Sequence, residues 1–159
     1  MDLNEIGDRL EIQDVYARYV HAVDRADYET LADRVFTSDA SFDYSQANGP
    51  VLSWDELRAI DMFGGNGFEH IFHITSNLVV DFDESRASAT CCSKTFNPWA
   101  RDVDGRATAF QVHGTYYDVV VRTERGWRIA SRRWVEDWAS VWDGGELRLK
   151  AGMTETGAI

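Results

Sequence analysis

The sequence has few of the residues that cross-link a chain or bind phosphate. Its two cysteines, Cys91 and Cys92, are adjacent, so in a strand they face opposite sides and cannot readily bridge each other. A disulfide framework is excluded, and a reducing, cytoplasmic setting is expected. Lys and Arg number 16 against 27 Asp and Glu, for a formal charge of −11. Nucleic acid and anionic membrane both need concentrated Lys and Arg, so neither is an expected partner. No apolar run is long enough to span a bilayer, and Met1-Asp2-Leu3-Asn4-Glu5 has neither the basic nor the apolar part of a secretory leader. Pro50 and Pro98 are the only prolines, and no segment repeats or is low in complexity. No linker is evident, and 159 residues fit one domain.

Aromatics are plentiful: six Trp, six Tyr and eight Phe, enough to fill a core and also to line a pocket for a flat apolar ligand. Ile12, Val15, Tyr16, Tyr19, Val20 and Val23 fall at i, i+3, i+4, i+7, i+8 and i+11, which predicts an amphipathic helix over about residues 5 to 24. Asp24 continues that apolar stripe. It reads either as a turn-capping acid or as a functional one; Asp27, directly before a second helical run of Tyr28, Leu31, Ala32, Val35 and Phe36, competes for the capping role and tilts the balance toward function. Thr37-Ser38-Asp39-Ala40 reads as a turn, followed by a short strand whose Ala40, Phe42 and Tyr44 share a face. Ser53-Trp54-Asp55-Glu56 has the form of a capping box opening a third helix, with Trp54, Leu57, Ile60 and Phe63 on its apolar side, ended by Gly64, Gly65 and Gly67. That glycine run lacks the context of a phosphate loop.

The stretch from Glu69 to Phe82 reads as a strand. Period two puts His73, Thr75 and Asn77 on one side and Ile74, Leu78 and Val80 on the other. Ala87 to Trp99 is the next strand, with Ala87, Ala89, Cys91 and Ser93 leaving room on one side, either for helix packing or for a cavity. Ala100 to Arg106 reads as a polar turn. Ala107 to Thr123 and Trp127 to Trp138 form a hairpin, and Ala139 to Ile159 is an aperiodic tail that covers the pocket or an interface. The order of elements predicts an α+β fold, one domain over residues 1–138 with the helices packed over the concave face of a cone-shaped, strongly curved sheet.

A histidine held by a carboxylate has its tautomer fixed and its imidazolium stabilised, which suits a base working near neutral pH. His73 is the expected base and Asp24 its orienter. Tyr19, Tyr44 or an arginine of the last strand would donate a hydrogen bond to a leaving or carbonyl oxygen. Arg133 shares the parity of Ile129, Ser131 and Val135 whereas Arg132 points oppositely, and Arg133 is the preferred of the two. Trp54 completes the expected substrate contacts. No metal site is expected, because His70 and His73 diverge in a strand. His21 and His113 read as surface or packed residues, and neither cysteine has a neighbouring base.

Tyr19-Val-His-Ala-Val-Asp24, Thr37-Ser-Asp-Ala40, His73-x-x-x-Asn77, Gly114-Thr-Tyr-Tyr-Asp118 and Gly126-Trp-Arg-Ile129 together resemble the SnoaL-like branch of the nuclear-transport-factor-2-like superfamily, over about residues 5 to 138. The Asp24 and His73 pair resembles the dyad of scytalone dehydratase, hexachlorocyclohexane dehydrochlorinase and bile acid 7α-dehydratase, and Tyr19 resembles a pocket tyrosine of the last. The resemblance implies a cofactor-independent lyase, dehydratase-like, acting on a cyclic hydrophobic molecule. A ketosteroid-type isomerase, a polyketide cyclase, or a non-catalytic accessory subunit of a ring-hydroxylating oxygenase are the alternatives within the same fold. A homo-oligomer is expected from Trp134 and Trp138 on one outer parity, with the resemblance favouring a trimer over a dimer.

Overall fold

The computed structural model describes residues 2–64 and 70–142. Helix α1 (Leu3–Val23) begins where the Asp2 carboxylate accepts from the Glu5 backbone N–H at 2.8 Å, satisfying one of the donors a helix start leaves open. Its buried side carries Ile12, Val15, Tyr16, Tyr19 and Val23 of the expected stripe, joined by Asp8 and Ala22, while Val20 is only partly buried against it; Asp24 caps its end. The second run is a single α turn, α2 (Tyr28–Thr30), followed by a π-helical turn, Leu31–Val35. Asp27 accepts from the Thr30 backbone N–H at 2.9 Å, which frees Asp24 from capping that segment. The capping box at Ser53 and Glu56 opens α3 (Trp54–Ala59).

The strands are β1 (Phe36–Asp43), β2 (Val51–Ser53), β3 (His70–Ile71), β4 (Ile74–Phe82), β5 (Ser88–Phe96), β6 (Trp99–Val103), β7 (Arg106–Thr123) and β8 (Gly126–Trp142). They form one mixed, strongly curved, unclosed sheet in the order β2-β1-β8-β7-β5-β4, with β3 and β6 extending it beside β7. Only the β1–β8 pairing is parallel among the described residues. The N-terminal helices cover the face carrying Val80, Ala89, Cys91, Val120 and Ile129, where the core lies. Ala89 and Cys91 are buried in that core, with Tyr16 of α1 against Cys91, whereas Ala87 is exposed before β5 begins.

Two expected turns are strand. Thr37 to Ala40 lies within β1, because pairing with β8 jumps from Phe36↔Ile129 to Ser41↔Ser131 and the polar residues occupy that irregularity without reversing the chain. Ala100 to Val103 lies in β6, paired in register to β7 through a two-residue loop whose Asp104 and Gly105 both have positive φ, as a tight hairpin turn requires. The sheet also runs to Trp142, beyond the expected boundary at 138. The rest of the expected tail, and Gly65 and Gly67, lie outside the described residues.

Three β-bulges decide which side chains face the core. Each inserts one residue and so inverts the period-two pattern downstream. In β4 the register shifts between Ser76 and Val79, with Asn77 at φ 54°. Thr75, opposite Thr95, therefore shares its face with Val80, opposite Cys91, and Ile74 is exposed rather than joining Leu78 and Val80. In β8 the register shifts between Ile129 and Ser131, so Arg132, not Arg133, follows Ile129 inward. A second shift between Glu136 and Trp138 places Trp134 inside and Trp138 outside, which corrects the expectation that they share an outer parity.

Candidate functional site

Asp24 leaves the end of α1 toward the chain between β3 and β4, where His73 sits. Its Oδ1 is 2.7 Å from His73 Nδ1, and its carboxylate also accepts from the His73 backbone N–H at 3.1 and 3.2 Å. One carboxylate thus grips both ring and backbone. Because a carboxylate only accepts, the neutral imidazole carries its proton on Nδ1 and keeps the lone pair on Nε2. The dyad is largely buried: the His73 side chain is 7 % exposed and that of Asp24 is 21 %.

His73 forms part of the wall of a cavity of about 140 Å³, together with Tyr19, Tyr44, Met62, Phe63, Ile71, Asn97, Trp99, Val112, Tyr116 and Trp134. The Tyr19 and Tyr116 hydroxyls are 3.1 Å apart, and Asn97 Nδ2 donates to the Tyr116 hydroxyl at 3.3 Å. Tyr19 also meets the imidazole edge-on, with ring centroids 6.1 Å apart. Burial, then the neighbouring phenols, push the Tyr19 hydroxyl well above its ordinary range against the opposing pull of Arg132, and burial does the same to Tyr44. Both are therefore neutral phenols, donors and not bases.

Arg132 lies behind this wall. It is 2 % exposed, and its Nε and Nη2 donate to Asp118 Oδ1 and Oδ2 at 2.9 and 2.8 Å, while the Tyr16 hydroxyl donates to Asp118 Oδ2 at 2.5 Å. Its guanidinium carbon stands 3.8 Å from the centre of the Tyr116 ring and 4.1 Å from that of Tyr19. Burial opposes the charge on Arg132, but Asp118 and the surrounding phenols outweigh it and hold the guanidinium firmly protonated.

Of the expected site residues, Asp24, His73, Tyr19 and Tyr44 come together and two do not. Arg133 is exposed over the Tyr117 ring and borders a larger depression, about 500 Å³, with Asp43 and Asp81. That depression is on the other face of the sheet, away from the dyad. Trp54 is core, packed on Phe36 and Phe42 with centroids 5.2 and 6.1 Å away. Cys91 has its thiol pushed up to about 12 by burial and by Asp118, which removes it as a nucleophile. Among the described residues no group of three or more His, Cys, Asp or Glu could hold a metal, and no helix is long and apolar enough to cross a membrane. Sequence reasoning missed Tyr116, Asn97 and Trp134. Tyr116 was legible as a buried-parity neighbour of Asp118, and Asn97-Pro98 as the break that ends β5 at the cavity; Trp134 was hidden by the bulge.

Residues 4–133 match the SnoaL-like domain family. The chain belongs to the SnoaL-like family. This SnoaL-like protein is 35% identical over 134 residues to the uncharacterised protein Rv2910c of Mycobacterium tuberculosis, covering 83% of this chain and 87% of that one. A solved structure from Novosphingobium aromaticivorans, described as an aromatic ring hydroxylase, is 30% identical over 87% of this chain and 94% of its own, with a TM-score of 0.72. The hexachlorocyclohexane dehydrochlorinase LinA-type3 of Novosphingobium barchaimii shares the fold, with a TM-score of 0.76 at 15% identity over 94% of this chain and 100% of its own.

Proposed function

We propose that this SnoaL-like protein is a cofactor-independent lyase, dehydratase-like, that acts on a cyclic hydrophobic molecule through Asp24 and His73. The observation that supports this most is the contact of Asp24 Oδ1 with His73 Nδ1 at 2.7 Å on the wall of an aromatic cavity. His73 Nε2 takes a proton from a ring carbon. The electron pair of that C–H bond becomes the new double bond, and the bond from the adjacent carbon to the leaving group breaks. Departing hydroxide takes a proton from a phenol of the Tyr19, Tyr44 and Tyr116 group, forming water. Return of the proton from His73 to the phenolate restores the site. Asp24 stabilises the imidazolium in between, and Arg132, behind the rings of Tyr19 and Tyr116, favours the phenolate.

The test is turnover in His73→Ala and Asp24→Asn beside their melting curves. Turnover should fall by about two to four powers of ten in the histidine variant while folding survives. A large loss of melting temperature with activity unchanged in the folded fraction would make the pair structural. An isomerase using the same base would show proton exchange at carbon without loss of a group. Two unpaired cysteines fit a cytoplasmic setting. The outer sheet face exposes Ile74, Val79, Tyr117, Val119 and Trp138, which supports a homo-oligomer; the family resemblance favours three copies.

A further inference from the structure

We propose that Tyr28 is a positioning residue for the cavity beside His73: its hydroxyl latches the turn that carries Met62 and Phe63 to the segment that carries Asp24, and so sets how long a small molecule is held there. This rests on the reading of that cavity as the binding site, and not on the step carried out in it.

Most of the cavity wall belongs to α1, to the sheet or to residues directly beside them, whereas Met62 and Phe63 come from the turn after α3. The backbone bonds of that turn stay within its own stretch of chain. Asp61 N–H donates to the Arg58 carbonyl at 3.0 Å, Met62 N–H to the Leu57 carbonyl at 3.3 Å and Gly64 N–H to the Asp61 carbonyl at 3.2 Å. The Phe63 N–H finds its partner elsewhere. It donates to the Tyr28 hydroxyl at 3.0 Å, and that hydroxyl donates in turn to Asp61 Oδ1 at 2.9 Å. A phenol can accept and donate at once, and its bond to a carboxylate is charge-assisted. One oxygen therefore ties two residues of the turn. The Tyr28 ring adds a stacked contact with Phe63, centroids 6.0 Å apart at 26°, which a phenylalanine would keep.

Tyr28 is itself fixed relative to the dyad. It follows Asp24 closely in the chain, across a turn in which Asp27 N–H donates to the Ala22 carbonyl at 2.8 Å and Ala26 N–H to the Val23 carbonyl at 3.0 Å. One short segment thus carries both the acid that holds His73 and the hydroxyl that places Phe63. The far side of the latch is built to the same fit. Asp61 has φ 48°, which Asp and Asn tolerate better than most residues. A Cβ on Gly64 would come within 2.7 Å of Asp61 Oδ1, the oxygen that accepts from Tyr28, and within 3.2 Å of Ala26 Cβ. The turn therefore reaches the Asp24 segment only because Gly64 has no side chain, and adding one would push the Asp61 carboxylate off Tyr28.

The experiment follows benzene, an apolar probe suited to a cavity of this size, by NMR line shapes at the Met62 methyl group, with amide exchange at Phe63 and a melting curve for each protein. The unmodified protein is compared with Tyr28→Phe, Asp61→Ala, Asp61→Asn and Gly64→Ala. Tyr28→Phe should speed benzene dissociation and Phe63 amide exchange about 3- to 30-fold, the range that losing one or two hydrogen bonds supports. Asp61→Ala and Gly64→Ala should act alike, and Asp61→Asn, which keeps an oxygen acceptor, should lie between them and the unmodified protein. Combining Tyr28→Phe with Asp61→Ala should add little, because both open one latch. For a hydroxylated ring ketone turned over by the dyad, Tyr28→Phe should raise KM by more than it lowers kcat. Absence of benzene binding to the unmodified protein, dissociation that is unchanged in the folded fraction of Tyr28→Phe or of Gly64→Ala whatever their melting temperatures, or additive effects in the double variant overturns the proposal. Because benzene undergoes no reaction, the proposal fails separately from the elimination reading. Faster dissociation from the variants with no His73-dependent loss of water from any hydroxylated ring would sink that reading and leave this one standing.

Discussion

Arg132 and Arg133 are neighbours in one strand, and the bulge at the start of β8 gives them opposite fates. Replacing each by Met, which keeps most of the aliphatic stem, tests that assignment directly. Arg132 is 2 % exposed and forms a two-pronged ion pair with Asp118, whose second oxygen also accepts from Tyr16. Removing the guanidinium leaves a buried carboxylate with one neutral donor, and breaking a buried pair in this way costs about 3–5 kcal/mol. Unfolding entropy is roughly 2.1 cal/mol/K per residue, or about 0.33 kcal/mol/K for a chain of 159 residues. The expected fall in melting temperature for Arg132→Met is therefore about 9–15 °C. Arg133→Met removes an exposed side chain resting on Tyr117, and should change stability by no more than about 0.5 kcal/mol. Adding Asp118→Leu to Arg132→Met should recover part of the loss, because two apolar side chains no longer leave a lone charge buried. Differential scanning calorimetry or urea unfolding measures all of these. Equal costs for the two arginine variants, or a larger cost at Arg133, would refute the register assigned to β8.

Other expectations concern separate parts of the fold. Gly114 lies where an added Cβ would come within 2.5 Å of both Trp134 Nε1 and the Val135 carbonyl oxygen; Gly114→Ala should cost about 1–3 kcal/mol and alter the near-ultraviolet signal of Trp134 as the indole is displaced. Burial raises the Asp8 carboxyl, but hydrogen bonds from Arg122 and Trp127 outweigh it and hold it below its ordinary value of 3.8. Its contribution to stability is thus present above that value and lost as pH falls through the lower folded one, so Asp8→Asn should flatten the acid limb of the melting-temperature profile below about pH 4. Light scattering at micromolar concentration should give an oligomer that Trp138→Glu weakens, whereas a stable monomer would leave the exposed outer face unexplained.

What the sequence made legible, and what it hid, divides along physical lines. Helical periodicity is robust to single insertions over a few turns, so the stripe from Ile12 to Val23 and the placement of Asp24 on its buried side were readable. So was the capping box at Ser53, because its residues act within one turn. Strand periodicity is not robust: one inserted residue reverses it. Nothing in Ile129-Ala130-Ser131 announces the bulge that turns Arg132 inward, and nothing in Glu136-Asp137-Trp138 announces the one that separates Trp134 from Trp138. Asn77 is a partial exception, since Asn tolerates the positive φ found there better than most residues. The dyad itself spans 49 positions and was found by chemistry and resemblance, an acid on an apolar stripe and a histidine at the head of a strand. The cavity wall was only partly found: the parity of Tyr116 and the Asn97-Pro98 break are local signals, whereas Trp134 owes its position to the bulge in β8.

Asp24 and His73 are proposed to form a working base and not a core polar pair. The most direct measurement is the rate of exchange or loss at carbon for a hydroxylated ring ketone, in the unmodified protein, His73→Ala, Asp24→Asn and their combination, with a melting curve for each. A rate loss of about two to four powers of ten is expected for His73→Ala, and a smaller or equal one for Asp24→Asn. The double variant should be scarcely worse than the histidine variant alone, because the pair acts as a unit, and all of them should fold. Additive rate losses, or variants that melt far lower while the folded fraction keeps its full rate, would contradict it.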